Sequence, residues 1–557
     1  VVSTEPPASP WDRLRVVLEP ERADLWIVLV YGLAVAGLSL TVPIATQALV
    51  TWAAFGTVLQ PVVALGAIIT GLLILAGGLR AIQVWVTELV QQRIFARMAV
   101  DIAWRLPRAR LEGFGAHRPT ELVNRFMDVM TIRKATALIL LDGFALVLQA
   151  LFGVILLAFY SPLLLGYALL LLASMAFVVF GLGLGAIRTS IAESRAKYDV
   201  LAWLEEVARV PRAFRDPLDA RQALERADRG TLDYLSRRKA HFRILFRQLL
   251  GAYAVQALAS GSLLGLGGWL ITRQQLTIGQ LVAAELVVGP LVASFAGAGK
   301  YLETVYDLLA AVEKVGMLFD VPLEREQGEP LPETTAPLRV RVHGLMWSRS
   351  DGQPLFTDVE LTLEPGSRTV LRGASGSGKS TLLDVLTAHV APARGAVEFD
   401  GVDARELALP SLRSRVRLVR GIDLFDGTLL DNVRLGQNVG LKEVRELLEQ
   451  LGLSEAISSL PAGLNTELTG GVTPFSTGEA HRIMIARAVL SRPRLLVIDE
   501  ALDDMDAESR SRCLELLLSA AAPWTLIVAT HGTDQLARFD QVVTLGRGRL
   551  TLETVAP

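Results

Sequence analysis

Residues 373–381 (Gly373, Ala374, Ser375, Gly376, Ser377, Gly378, Lys379, Ser380 and Thr381) have the composition and spacing of a loop that wraps phosphates. They lie between the apolar, strand-like RTVLRG and the helix-like TLLDVLTAHV, the context that such a P-loop requires. Gly376 and Gly378 admit backbone conformations that a β-carbon disfavours, so N–H groups can close around phosphate oxygens. Lys379 brings a point charge to the β- and γ-phosphates, and Ser380 offers a hydroxyl to Mg²⁺. Downstream, RPRLLVIDEA places Asp499 and Glu500 at the end of a buried β-type run. Asp499 there can hold Mg²⁺, and Glu500 can polarise an attacking water. A further apolar strand, WTLIVATHG, ends in His531, within reach of a γ-phosphate. The chemistry these residues predict is nucleotide hydrolysis.

Those side chains need a scaffold, and the chain supplies two kinds. Hydrophobic residues make up 51% of its 557 positions and charged ones 20%, but the apolar residues concentrate in the first 300, in runs long enough to cross a bilayer. Six stretches read as spans, near 24–48, 61–83, 135–157, 162–186, 248–272 and 277–300. The loop 84–135 holds Arg93, Arg97, Arg105, Arg108, Arg110, Arg118, Arg125, Arg133 and Lys134, and 187–247 is more basic still, whereas 49–60 and 158–161 hold no Lys or Arg. This asymmetry predicts that both long loops, the N-terminus and the C-terminal half face the cytoplasm. Apolar residues recur at helical spacing within each loop, with Pro107, Gly113, Gly115 and Pro119, then Pro211 and Pro217, breaking the pattern. Each is therefore expected to be a helical hairpin reaching about 40 Å beyond the membrane, roughly 26 residues per arm.

WDRLRVVL before the first span suits an interfacial elbow helix with Trp11 at headgroup level. The start of the chain lacks a basic segment followed by an apolar core, so no cleaved signal peptide is expected. The stretch 323–338, rich in proline and glutamate and without period, predicts a linker. The expected organisation is a membrane domain over 1–322, that linker, and an α/β domain over 339–557. Arg80 is expected to stretch towards the interface, while Asp142 and Glu285 inside spans are candidates for a substrate cavity. A net charge of −2 gives no reason to expect nucleic acid, and the single cysteine, Cys513, excludes an intramolecular disulfide and reads as packing.

The order of P-loop, FSTGEAHRIMIARAVL, RPRLLVIDEA and THG resembles an ATP-binding cassette (ABC) nucleotide-binding domain. Six spans with two long cytoplasmic hairpins resemble an ABC exporter, and RPTELVNRFMDVMTIRK before a span looks most like haemolysin B-type secretion transporters. The resemblance implies a six-helix exporter bundle fused to an α/β P-loop cassette, with ATP and Mg²⁺ as cofactors. It implies a half-transporter that pairs with a second half, a homodimer being favoured over a heterodimer, in the bilayer of a bacterial inner membrane, with a periplasmic adaptor as an open partner. Each site would pair one P-loop with the other half's signature, here Phe475, Ser476, Thr477, Gly478 and Glu479. Hairpin tips near 113–121 and 207–216 would couple the two domains.

Several positions depart from the family pattern. The signature's first glycine is replaced by Thr477, whose side chain is expected to crowd the phosphate. The position usually held by a Mg²⁺-linked glutamine falls on Arg420, which cannot coordinate a cation but can contact phosphate. The adenine-stacking aromatic aligns near Arg349, so Arg349 itself or Trp347 is expected to substitute. An alternative reading is a regulatory or slowly hydrolysing subunit.

Overall fold

The computed structural model describes residues 9–54, 59–110, 123–297, 299–349, 353–469, 474–532, 536–546 and 548–554. The chain divides into two compact units, Val1–Leu323 and Glu324–Pro557.

The first unit is helical: α1 (Pro10–Leu18), α2 (Arg22–Ser39), α3 (Thr41–Ala54), α4 (Leu59–Arg105), α5 (Asp128–Leu138), α6 (Phe144–Tyr160), α7 (Pro162–Ala176), α8 (Ala186–Arg209), α9 (Pro217–Thr272), α10 (Ile278–Ala296) and α11 (Gly299–Phe319). Among the described residues, six helical stretches are long and apolar enough to cross a membrane, matching the six expected spans. The helix starts follow local chemistry. Ser9 and Asp12 form a reciprocal capping box at α1, Thr277 and Gln280 another at α10, and Ser161 and Asp216 cap α7 and α9 ahead of a proline at the first helical position. Pro217, expected as a breaker, is thus a helix starter. The first span differs from expectation in being broken at Leu40, between α2 and α3. Pro43 accounts for the break, since its ring cannot donate and clashes with the carbonyl four residues earlier.

Helix α9 runs for 56 residues, about 84 Å at 1.5 Å per residue, far more than a bilayer needs. Its charged N-terminal part lies against α8: Trp203 Nε1 donates to the Ala223 carbonyl at 3.1 Å, and the Arg226 guanidinium stacks 4.0 Å above the Trp203 ring. A short 3₁₀ turn, Pro211–Phe214, closes this hairpin. The tip expected at 113–121 lies outside the described residues.

Two intramembrane charges meet. Arg80 donates to Asp142 Oδ1 and to the Leu141 carbonyl, both at 3.0 Å, which corrects the expectation that it stretches to the interface. The π-helical turn Ile139–Gly143 carries this carboxylate and carbonyl, and pairing there lowers the cost of holding either charge in a membrane. Asp142's neighbours Leu141 and Arg80 line a small cavity of about 140 Å³ with Ser39, Gln83 and Gln149. Glu285, on α10, does not line it, and its Oε2 is buried without a hydrogen-bond partner.

Lys314 on α11 is 2% exposed, donates to the Ser194 carbonyl at 3.0 Å and lies 4.1 Å from the Tyr198 ring centre. Burial first, then the Arg125 charge, lowers its pKa from 10.5 to about 7, with Lys197 adding a smaller push down and Asp128 and Asp199 opposing. A lysine depressed in the folded state binds its proton more readily in the unfolded chain. Stability should therefore rise as pH climbs from about 7 towards 10. Thermal unfolding in detergent should show that rise in the wild type and a flatter profile in Lys314→Met; equal slopes would assign it to other groups.

The second unit carries strands β1 (Val340–Ser348), β2 (Pro354–Leu363), β3 (Arg368–Arg372), β4 (Arg394–Phe399), β5 (Val402–Asp403), β6 (Val416–Arg420), β7 (Gly427–Thr428), β8 (Glu467–Leu468), β9 (Leu495–Asp499), β10 (Thr525–Ala529), β11 (Gln541–Gly546) and β12 (Arg549–Thr554). One sheet has the order β12-β11-β3-β10-β9-β6, parallel except for its β12 edge. Its central strands LLVID and TLIVA are buried at every position, as both-sided coverage of a parallel sheet demands. An antiparallel sheet, β2-β1-β4-β5, lies beside it and shares its core through Phe356, Phe399, Val497 and Ile527. From Glu324 on, the stretch expected as a linker packs on this unit. Arg413 pairs with Glu324 at 2.5 Å, Arg325 donates to the carbonyls of Ala404 and Leu407, and Leu331 and Leu338 are buried. Irregular backbone there is tied down by hydrogen bonds rather than free. Cys513 is fully buried, 3.7 Å from Met505 Sδ, and burial pushes its thiol up to about 12, which makes it a packing residue.

Candidate nucleotide site

The site forms where parallel strands end. Leu371, Ala529, Asp499 and Arg420 occupy one cross-strand row of β3, β10, β9 and β6. The chain leaves β3 through the P-loop and enters α12 (Lys379–Leu386). Gly376 and Gly378 have φ of +78° and +103°, and a β-carbon at 378 would come within 2.8 Å of Leu355 Cγ. Glycine is required there on both grounds.

Lys379 is buried at 4% exposure, yet its ammonium is not idle. Nζ donates to the Gly373 carbonyl at 3.1 Å and lies 3.5 Å from Glu500 Oε1. The same Glu500 oxygen is 3.0 Å from His531 Nε2. Lys379 and His531, from distant segments, therefore converge on one oxygen of Glu500. Glu500 sits in the left-handed region at φ +59°, held by its N–H to the Ala529 carbonyl at 2.9 Å. A non-glycine residue there is strained, which is common at functional sites. Asp503 fixes the next strand's end: it accepts from the Thr530 hydroxyl and, at 3.0 Å, from the His531 N–H.

Arg420 does not point to solvent. Nε donates to Asp499 Oδ2 at 2.5 Å, Nη1 to Asp384 Oδ1 at 2.7 Å and Nη2 to the Ser380 carbonyl at 2.8 Å. Burial holds the Asp384 carboxyl above its ordinary value, with Arg420 pulling it back. Asp499 Oδ1 is buried and has no hydrogen-bond partner. That oxygen and the Ser380 hydroxyl, at the exposed start of α12, are hard donors of the kind Mg²⁺ takes, so these residues fit the ion.

Arg349 reaches over the P-loop, Nη2 donating to the Gly376 carbonyl at 3.3 Å. Trp347 instead packs against the core of the second unit, opposite Phe356. The FSTGE segment begins α13 (Thr477–Leu490). Phe475 is buried in the core, and Thr477 is exposed on the first turn. Ser476 caps the helix: its Oγ accepts from the Glu479 N–H at 3.3 Å, and Glu479 Oε2 accepts from Ser476 N–H and hydroxyl at 2.8 Å. Sequence reasoning missed Asp384 and Asp503. The signal for Asp384 was a carboxylate inside the apolar TLLDVL, one helical turn after Ser380; for Asp503 the sequence offered none.

Comparison with known proteins agrees with this geometry. Residues 356–503 match the family model described as ABC transporter. The chain is 28% identical over 299 residues to the multidrug resistance-like ATP-binding protein MdlA of Escherichia coli, covering 53% of this chain and 50% of that protein. It is 29% identical over 316 residues to the mycobactin import ATP-binding/permease protein IrtB of Mycolicibacterium thermoresistibile, covering 56% and 54%. The matches thus span about half the length of these curated relatives. A solved structure of a bacterial Atm1-family ABC exporter with ATP bound superposes with a TM-score of 0.82 at 19% identity, covering 97% of this chain and 96% of that one.

Proposed function

We propose that this chain, which carries an ABC transporter ATP-binding domain fused to a membrane region in the exporter fold, is one half of an ATP-driven exporter that works as a dimer. The observation that carries the proposal is the convergence of Lys379, Glu500 and His531 beside a P-loop, in a chain whose described residues include six membrane-capable helices. We place it in a bacterial cytoplasmic membrane, with the ATP-binding domain on the cytoplasmic side and a periplasmic adaptor as a further candidate partner.

The residues divide the work. The loop's backbone N–H groups and Lys379 bind the phosphates, and for that Lys379 must leave Gly373 and Glu500. Its departure frees Glu500 to accept a proton from the attacking water, with His531 fixing the carboxylate from the other side. Mg²⁺, when bound, would be held by Ser380 and Asp499 and would neutralise charge on the phosphates. Arg349 is positioned to stack on the base by its guanidinium plane. Closure of the two halves around ATP would drive alternating access.

The test is ATP-dependent movement of solute into inside-out vesicles containing the purified chain. Accumulation supports export; efflux would reverse the direction, and ATP hydrolysis without movement would remove the transport reading.

A homodimer is the assembly we favour, since Lys379, Glu500 and His531 are all present. Thr477→Gly then tests the signature. Removing an exposed side chain beside Ser476 should raise turnover a few-fold, on the order of 1 kcal/mol off the barrier. An unchanged steady-state phosphate-release rate would show that position 477 does not limit the homodimer.

A further inference from the structure

Glu500 and His531 follow the ends of the adjacent strands β9 and β10, and both side chains are half-exposed. Side chains that open to solvent keep much of their rotamer freedom, so the contact between Glu500 and the imidazole needs something to hold it. Asp503 is placed to do so. Both of its carboxylate oxygens are engaged by the loop that carries the imidazole: Oδ1 accepts from the Thr530 hydroxyl, and Oδ2 accepts from the His531 N–H at 3.0 Å. The Thr530 hydroxyl in turn accepts from the Gly532 N–H at 3.0 Å. Three successive residues are thus tied, directly or through one hydroxyl, to a single side chain.

Asp503 is itself fixed to the turn that leaves Glu500. Its N–H donates to the Glu500 carbonyl at 3.0 Å, and Arg510 braces the same turn, Nε donating to the Leu502 carbonyl at 3.0 Å and Nη2 to the Met505 carbonyl at 2.9 Å. The turn ends at Asp506, whose side chain caps the helix Ala507–Leu517. The contacts close a ring, from the Glu500 backbone through Asp503 to His531 and back to the Glu500 carboxylate. Hydrogen bonds to an ionised acceptor are among the stronger ones, which suits Asp503 to hold a loop at a strand end.

We propose that Asp503 is a positioning residue for ATP hydrolysis: its carboxylate grips the Thr530–Gly532 loop and so holds the His531 imidazole against Glu500. It acts through His531 rather than on the phosphates. The inference rests on the hydrolysis reading above and adds the residue that assembles the Glu500–His531 pair.

The experiment is phosphate release as a function of ATP concentration for the full chain in nanodiscs, comparing the wild type with Asp503→Ala and Asp503→Asn. Alanine removes both acceptors, so kcat should fall about tenfold or more through misplacement of the pair. KM should stay within about twofold, because the P-loop backbone and Lys379 are untouched. Asparagine keeps an oxygen for the His531 N–H, and its amide can donate to the Thr530 hydroxyl, so kcat should recover to within about threefold of the wild type. A merely structural role would not confine the loss to kcat. Wild-type kcat in the alanine variant overturns the proposal, and so does a loss confined to KM or an asparagine variant as slow as alanine. If the alanine protein fails to fold, Thr530→Val decides, since it leaves Asp503 in place and removes one of its two donors: a fall in kcat of about threefold supports the grip, and wild-type kcat overturns it. Absence of turnover in the wild type overturns the hydrolysis reading itself, a failure distinct from one seen only in the variants.

Discussion

Replacing Lys379 with alanine should abolish measurable ATP turnover and weaken ATP binding by about 10- to 100-fold, the worth of one or two hydrogen bonds from a charged donor. Lys379 starts α12 with its side chain buried, so no other described cation stands in its place on the loop. Arg349 and Arg420 are engaged elsewhere, Arg349 with the Gly376 carbonyl and Arg420 with Asp499 and Asp384. Alanine would also leave the Gly373 carbonyl and Glu500 without their ammonium partner, and the variant's fold must be checked by thermal unfolding. Phosphate release and calorimetric titration give the two readouts. Unchanged hydrolysis would mean that the loop is not the phosphate site.

Replacing Glu500 with glutamine should lower turnover by about 10²- to 10⁴-fold while leaving ATP binding nearly intact. The amide is isosteric, and its oxygen can still accept from Lys379 and from a His531 N–H, so the apo contacts of the site survive. What is lost is the carboxylate's ability to take a proton from water. A bound ATP that cannot be cleaved should hold two halves together, and size exclusion of the detergent-solubilised variant with ATP should show a persistent dimer. Wild-type turnover in this variant would remove Glu500 from the chemistry. A protein that binds ATP but shows no turnover even before mutation would be the regulatory subunit weighed from the sequence.

Most of the framework was legible because its signals are local. Twenty-residue apolar runs, Pro after a capping Ser or Asp, and all-apolar strands such as LLVID each specify their element within a few neighbours. The P-loop, Asp499, Glu500 and His531 were legible for the same reason: each sits at the end of a strand that announces itself. Pairings across the fold were not. Arg80 and Asp142 lie 62 residues apart, and nothing along the chain says that α4 faces the π-helical turn. Arg420 was recognised as out of place, but its partners were not, because Asp384 and Asp499 are reached only through the parallel pairing of β6 with β9 and the packing of α12 beneath them. Trp347 shows the converse: a residue type suited to stacking, whose strand position turns it to the core.

The row of Leu371, Ala529, Asp499 and Arg420 has an evolutionary consequence. Its members are drawn from segments as much as 158 positions apart, Leu371 to Ala529, and only strand register makes them neighbours. Because side chains alternate along a strand, a slip of β6 by one position would turn Arg420 to the opposite face and leave Asp499 with no counter-charge. Any selection on ATP use would therefore act indirectly on the residues that fix the register, including Val497 and Ile527, which pair across the neighbouring strands. Position 420 itself has the reverse standing. It lies at a strand end, 34% exposed at the side chain, so an exchange there can change the ion economy of the site in a single step while the inherited scaffold stays as it is.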